Sequence, residues 1–438
     1  MRTLRSLLTR LGPGLLLILS IVLWVALPLQ VLLIFALLLV VWMFSTRTGR
    51  QAVSVTWMGL STLTQRLGAS SVIVFGIAGV VGVLVALLAM GEGLQSTLRS
   101  TGGTDTAIVL RGAATAELSS SVTRQDATLV AQMPGILRDA EGRPIISPEV
   151  VVITNLPKRS NNVEANVEVR GVGPQAWVLR PHIKIVEGRA FKAGLRELVV
   201  GRAAQRQFKG LDVGARVDLN NQEWTVVGVF ESHDAHESEV VGDVETVATA
   251  YRRPGYQSAT VRLTSAQAFD QFKAALASDP RLKLDAKTTL DYYTAQSETL
   301  SRIIRVLGTA IATIMGIGAA FGALNSMYAA VATRAREIAT LRAIGFRSPP
   351  VIVSVMIETM VLALFGGLLG AAIAWLVFDN YAVSTLGANF SQVVFKFDVS
   401  PNLLWTGVKW ALAIGFIGGL LPALRAARLP VTVALRES

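Results

Sequence analysis

The run Ser297–Val331, SETLSRIIRVLGTAIATIMGIGAAFGALNSMYAAV, decides the architecture of this chain. Its opening is amphipathic, with Leu300, Ile303, Ile304 and Leu307 at helical spacing among Glu298, Arg302 and Arg305. From Val306 to Val331 no charged residue follows. A hydrocarbon core about 30 Å thick is crossed by roughly 20 apolar residues of helix. The pattern therefore predicts a stalk helix that enters a membrane without a break. Leu300, Ile303 and Ile304 are the residues expected to carry motion along it.

Outward from this run, further apolar stretches lie at 14–44, 71–91, 351–378 and 403–424, and one long hydrophilic insert fills 92–305. The expected fold class is a polytopic α-helical membrane protein with a large α+β extracytoplasmic domain. That domain is inserted between the spans at 71–92 and 301–331. The full division is an N-terminal hydrophobic hairpin 1–46, a cytoplasmic amphipathic linker 47–70, the span 71–92, the external core domain 93–300 and the stalk with its span 301–331. A cytoplasmic loop 332–350, a span 351–378, an external loop 379–402, a span 403–424 and a cytoplasmic tail 425–438 complete it.

Composition agrees. Hydrophobic residues make up 52% and charged residues 16%, a membrane-like balance. The net charge of +11 would suit nucleic acid if it were spread over a soluble surface. Acidic and basic residues instead nearly balance in the insert, so the excess lies beside the apolar stretches and no nucleic-acid role is expected. Arg47, Arg50 and Arg66, the arginines between 334 and 347, and Arg425, Arg428 and Arg436 all fall on one side by the positive-inside rule, and that side is the cytoplasm. The insert and the 379–402 loop then lie outside.

The first apolar stretch has basic residues at both ends, Arg2, Arg5 and Arg10 before it and Arg47 and Arg50 after it. It should enter and leave on one side, as two short helices bent near Pro28–Gln30, because proline removes a backbone donor there. One long span that turns the N-terminus outward is the alternative. A cleaved signal peptide is not expected, since the run is too long and no small-residue site follows.

Within the insert, Val- and Ile-rich segments punctuated by Gly and Pro predict strands at 107–110, 150–154, 163–169, 183–186, 198–200, 215–219, 223–230 and 259–263. Helices are expected at 124–132, 201–208 and 265–277. The chain is read as leaving one lobe near 115 and returning to it near 260.

Chemistry is sparse. There is no cysteine, hence no disulfide framework, and no Gly-x-x-x-x-Gly-Lys-Ser/Thr phosphate cradle. No serine-hydrolase elbow or zinc-protease motif occurs. His233 and His236 stand beside Asp234, Glu237 and Glu239, a set read as a solvated acidic loop rather than a metal site. The expectation is a chain that is not an enzyme and holds no cofactor. Glu358, two turns into an apolar stretch, is expected to meet a neighbouring helix or the arginine-rich loop. Gly316, Gly318 and Gly322 would let helix backbones approach, within one bundle or between two subunits.

Three segments, in this order, resemble the FtsX-like, or MacB-like, family of ABC transporter permeases. They are GIAGVVGVLVALLAMGEGLQSTLRSTG at 76–102, ATRAREIATLRAIGFRSPPVIVSVMIETMVLALFGGLLGAAIAW at 332–375, and LPALRAARLPVTVALRE at 421–437. The likeness runs from about residue 57 to the end, and the N-terminal hairpin departs from the usual four-span pattern. The resemblance implies a bacterial inner-membrane protein with its large domain in the periplasm or outside. It also implies a second copy of this permease or a related one, and two copies of a cytoplasmic ATPase that binds ATP and Mg. The loop after the second family span would be a coupling helix against that ATPase. Carried over, its contacts are Arg334, Arg336, Glu337, Ile338, Leu341, Arg342 and Ile344. The function implied is ATP-driven motion of the external domain, for export or extraction of a hydrophobic, peptidic or lipoprotein substrate. The alternative is mechanotransmission to an extracytoplasmic adaptor or effector such as a cell-wall hydrolase.

Overall fold

The computed structural model describes residue 24 and residues 27–387 and 391–428. The first arm of the expected N-terminal hairpin and most of the tail lie outside them. The chain forms two compact units, one of residues 1–90, 303–380 and 398–438, the other of residues 91–302 and 381–397.

In the first unit, helix α1 (Leu29–Ser45) starts directly after Pro28, whose extended backbone (ψ 150°) breaks the chain there. Helix α2 (Arg47–Ser61) turns through about 100° from α1 at Thr46, which accepts a hydrogen bond from Gly49 N. A side chain at Gly49 would collide with the Trp42 carbonyl, so glycine permits the turn. The helix α3 (Leu67–Thr101) follows.

The second unit carries strands β1 (Thr106–Arg111), β2 (Ile146–Pro157), β3 (Glu164–Val172), β4 (Lys184–Gly188), β5 (Glu197–Gly201), β6 (Arg216–Asp218), β7 (Glu223–Glu231), β8 (Glu239–Asp243), β9 (Ser258–Arg262) and β10 (Leu284–Thr288). Between them lie the helices α4 (Arg124–Val130), α5 (Ala176–Leu179), α6 (Arg202–Gln207), α7 (Val244–Ala250) and α8 (Ala268–Ser278). One sheet runs β10-β1-β9-β2-β3-β8-β5-β7-β4, with β6 on β7. Three apolar clusters pack on it, the smallest of Val172, Ala176, Val199, Phe230 and Val241, and two are larger. One gathers Val150, Val169, Leu198, Phe208 and Trp224, the other Val109, Val261, Phe272 and Leu276. The expected lobes share one continuous sheet.

The chain then runs through α9 (Thr289–Thr333), α10 (Ala335–Ala343) and α11 (Ser348–Phe378) to the hairpin β11 (Ala382–Leu386)–β12 (Gln392–Lys396), and ends in α12 (Pro401–Arg428). Among the described residues four helices are long and apolar enough to cross a membrane, α3, α9, α11 and α12, or five if the bent pair α1–α2 is one span. Glycines set their packing. Gly366 and Gly370 on α11 press on the α3 backbone at Val74 and Ala78, Gly367 on Ala411 of α12, and Gly418 of α12 on Ala323 of α9.

Candidate functional site

Helix α10 is short because the backbone interrupts it at both ends. Arg334 alone separates it from α9, and Gly345, at φ +103°, ends the turn after it. Its faces differ. Arg336, Glu337 and Ile344 are exposed, Leu341 and Arg342 half-buried, and Ile338 buried. Arg334 points inward: its Nη1 donates to Glu358 Oε2 on α11 at 3.0 Å, both side chains being under a tenth exposed. Its Nε donates to Glu337 Oε2 at 3.3 Å. Glu358, expected to meet the arginine-rich loop, does so through Arg334.

On α9, Leu300 and Ile304 are half-buried and Ile303 is exposed, and the helix is unbroken across them. Gly316 packs on Ile414 of α12, whereas a side chain at Gly318 or Gly322 would meet nothing within 4 Å among the described residues. The three glycines therefore do not act as one set.

In the second unit the acidic run 231–239 is not solvated, contrary to what its sequence suggests. Asp234, His236 and Glu239 are buried, because they join a cluster centred on Arg170. Register explains the geometry. In the parallel pair β3–β8, Glu168 stands opposite Glu239, a like-charge pairing that destabilises unless a cation intervenes. Arg170, two residues along on the same face, supplies it. Its Nε donates to Glu239 Oε2 at 2.8 Å, its Nη2 to Glu168 Oε1 at 2.6 Å, and its Nη1 to Glu149 Oε2 on β2 at 2.8 Å. Two further bonds reach Glu117 at 2.9 and 3.0 Å.

A second guanidinium closes the cluster. Arg180 donates to Glu149 Oε2 at 3.0 Å and, through Nε, to His236 Nε2 at 3.1 Å. The proton of His236 then sits on Nδ1, 3.1 Å from Glu239 Oε2. Burial opposes a charged ring here, Glu239 and Asp234 favour it, and the balance raises the His236 pKa. Taking up that proton on Nε2 would cost the bond from Arg180. Burial likewise lifts the Glu149 and Glu239 carboxyls, but Arg170 with Arg180 or His236 outweighs it, and both end below the usual carboxylate range. Tyr292 OH, on α9, accepts from Glu117 N at 3.1 Å. Beside the cluster a cavity of about 190 Å³ is walled by Glu149, Arg180, His182, His236 and Tyr293. Its charges are of both signs and paired with one another, so it presents no single-sign field to a ligand. No group of His, Asp and Glu among the described residues is arranged to hold a metal ion.

The hairpin β11–β12, expected only as a loop, is built into this unit. Val394 N donates to Ser238 Oγ at 2.9 Å, Ser391 Oγ to Glu168 Oε2 at 3.2 Å, and Gln207 Nε2 to Ser384 Oγ at 3.2 Å. Alternation at Val393 and Phe395 was the signal that could have shown it.

Comparison with known proteins places this arrangement among ABC transporter permeases. Residues 70–279 match the MacB-like periplasmic core domain and residues 309–431 the FtsX-like permease C-terminal domain. The chain belongs to the FtsX-like, MacB-like family of ABC transporter permeases. The macrolide export ATP-binding/permease protein MacB of Chromobacterium violaceum is 27% identical over 396 residues, covering 83% of this chain and 57% of that protein. The chain thus spans little more than half the length of the MacB relatives it matches. The uncharacterized ABC transporter permease YknZ of Bacillus subtilis is 24% identical over 405 residues, covering 86% of this chain and 98% of that one. A solved structure of the periplasmic region of MacB from Actinobacillus actinomycetemcomitans aligns with 48% of this chain at 17% identity and a TM-score of 0.34.

Proposed function

We propose that this permease is the inner-membrane, multi-pass subunit that converts ATP hydrolysis by a separate cytoplasmic ATPase into movement of its extracytoplasmic domain. The movement serves export or extraction of a hydrophobic, peptidic or lipoprotein substrate. The observation that carries the reading is α10, a short helix between two apolar spans, with Arg336, Glu337 and Ile344 exposed in a chain that has no phosphate cradle of its own. The match to YknZ, named a permease, over nearly its whole length supports a separate ATPase. Two copies of the ATPase and a second copy of this permease or a related one complete the assembly.

The test is charge reversal at Arg336→Glu and Arg342→Glu together. Opposed charges across an interface set partner choice, and the double variant should lose copurified ATPase by about tenfold or more while inserting normally. Undiminished copurification and undiminished ATP-dependent activity would refute the reading.

A further inference from the structure

Arg334 is the single residue between α9 and α10, and its guanidinium ties two helices beneath a third. It reaches Glu337 on α10 and Glu358 on α11, and the backbone of α2 closes over the pair at Gly59. A Cβ on Gly59 would lie 3.2 Å from Glu358 Oε2 and 3.3 Å from Arg334 Nη1, tighter than ordinary contact. The rest of the buried face of α2 is Gly49, Ala52, Val55 and Thr56, small enough for the helix to lie close.

The covalent route from α10 to α11 is a poor conductor of force. It runs through Ile344–Arg347, with Gly345 at φ +103°, a conformation that favours glycine. Displacing α10 would be absorbed in that turn. Glu358 lies ten residues into α11, about 15 Å along the axis at the usual rise. A tie there grips α11 well beyond its pliable end. Stability alone is a weak reason for such a pair, because apolar residues of similar volume often replace a buried ion pair without loss.

We propose that the Arg334–Glu358 pair, covered by α2 at Gly59, is the joint that passes displacement of α10 into α11. The proposal rests on the reading that α10 docks an ATPase. The joint also gives a role to α2, which lies N-terminal to the FtsX-like and MacB-like regions. It keeps the pair closed.

The experiment uses the full permease with its ATPase in membranes, and a bimane label on Leu376→Cys, an exposed position of α11 in a chain without other cysteines. The wild-type background should show an emission change on adding ATP and vanadate. The double variant Arg334→Met with Glu358→Leu removes both charges together and leaves neither unpaired. Arg334, carried over above as an ATPase contact, is buried against Glu358 and turned away from the exposed face of α10. The variant should therefore insert and copurify the ATPase as wild type does, yet lose the nucleotide-dependent change by about fivefold or more, the scale of an ordinary coupling between sites. Gly59→Leu, with both charges intact, should give the same loss. A full emission change in the double variant overturns the joint alone. A wild-type chain that binds no ATPase, or gives no nucleotide-dependent change, overturns the docking reading and the joint with it.

Discussion

Arg170 Nη1 lies 2.8 Å from Glu149 Oε2, and neither side chain is more than 3% exposed. The same guanidinium also meets Glu117, Glu168 and Glu239, so one cation holds together turn and strand segments from four parts of the second unit.

Removing that cation strands buried carboxylates. Arg170→Met should destabilise the second unit by about 3–5 kcal/mol, the usual cost of breaking a buried pair from one side. The pH dependence gives a sharper test. In the wild type the Glu149 and Glu239 carboxyls titrate below their unfolded value of 4.5. Their contribution is therefore complete above pH 4.5 and is lost as pH falls through the folded values. Without Arg170, Glu149 keeps Arg180 and Glu239 keeps His236, but both lose part of what opposes burial, so their folded pKa values rise and the loss of stability in acid shrinks. The variant should therefore start less stable than the wild type at pH 7.5 and lose less stability than it does as pH falls below 4.5. Thermal unfolding followed by tryptophan fluorescence, with Trp224 buried in this unit, measures it. A variant as stable as wild type at pH 7.5, or one that loses as much stability below pH 4.5 as the wild type, contradicts this account.

The strands around this cluster were legible because they are rich in Val and Ile and punctuated by Gly and Pro, and β1, β2, β3 and β7 fall where the pattern puts them. The cluster itself was not. Arg170 finds Glu117, Glu149 and Glu239 at separations of 53, 21 and 69 residues, and no local period connects residues so far apart. Strand β8 was missed for a related reason, since its run Glu239–Asp243 follows an acidic segment that looks exposed until its partners are placed. For Arg334 a signal did exist. It stands four residues before Ile338, and a helical period puts the two on one face, which here is the buried face.

Glycines in the spans separate into those that pack within the chain and those that do not. A side chain at Gly370 would strike the Ala78 carbonyl and Val81, whereas one at Gly318 meets nothing within 4 Å among the described residues. Gly370→Val should therefore reduce the amount of folded permease in the membrane, since overpacking costs about 1–3 kcal/mol or more. Gly318→Val should insert at wild-type level and instead weaken association between permease copies, because an open glycine on a membrane helix permits close approach of a second one. Membrane yield and chemical cross-linking of the two variants distinguish the roles. Equal yields, or self-association unchanged in Gly318→Val, would count against the assignment.

The last prediction concerns the stalk. Helix α9 runs unbroken from Thr289 to Thr333, and Ile303 lies on it at 49% exposure, so substitution there disturbs little packing. Proline at this position removes a backbone donor and clashes with the preceding turn, bending the axis at a cost of about 3 kcal/mol or more. Ile303→Pro should leave ATPase copurification intact, because the contacts proposed for docking belong to α10. It should abolish the nucleotide-dependent response of a fluorophore on Ser160→Cys, in an exposed loop of the external domain. Ile303→Leu keeps the helix and should respond as wild type. A proline variant whose response at residue 160 matches wild type would mean that motion reaches the external domain by a route other than a rigid α9, and the hairpin β11–β12 would be the next element to test.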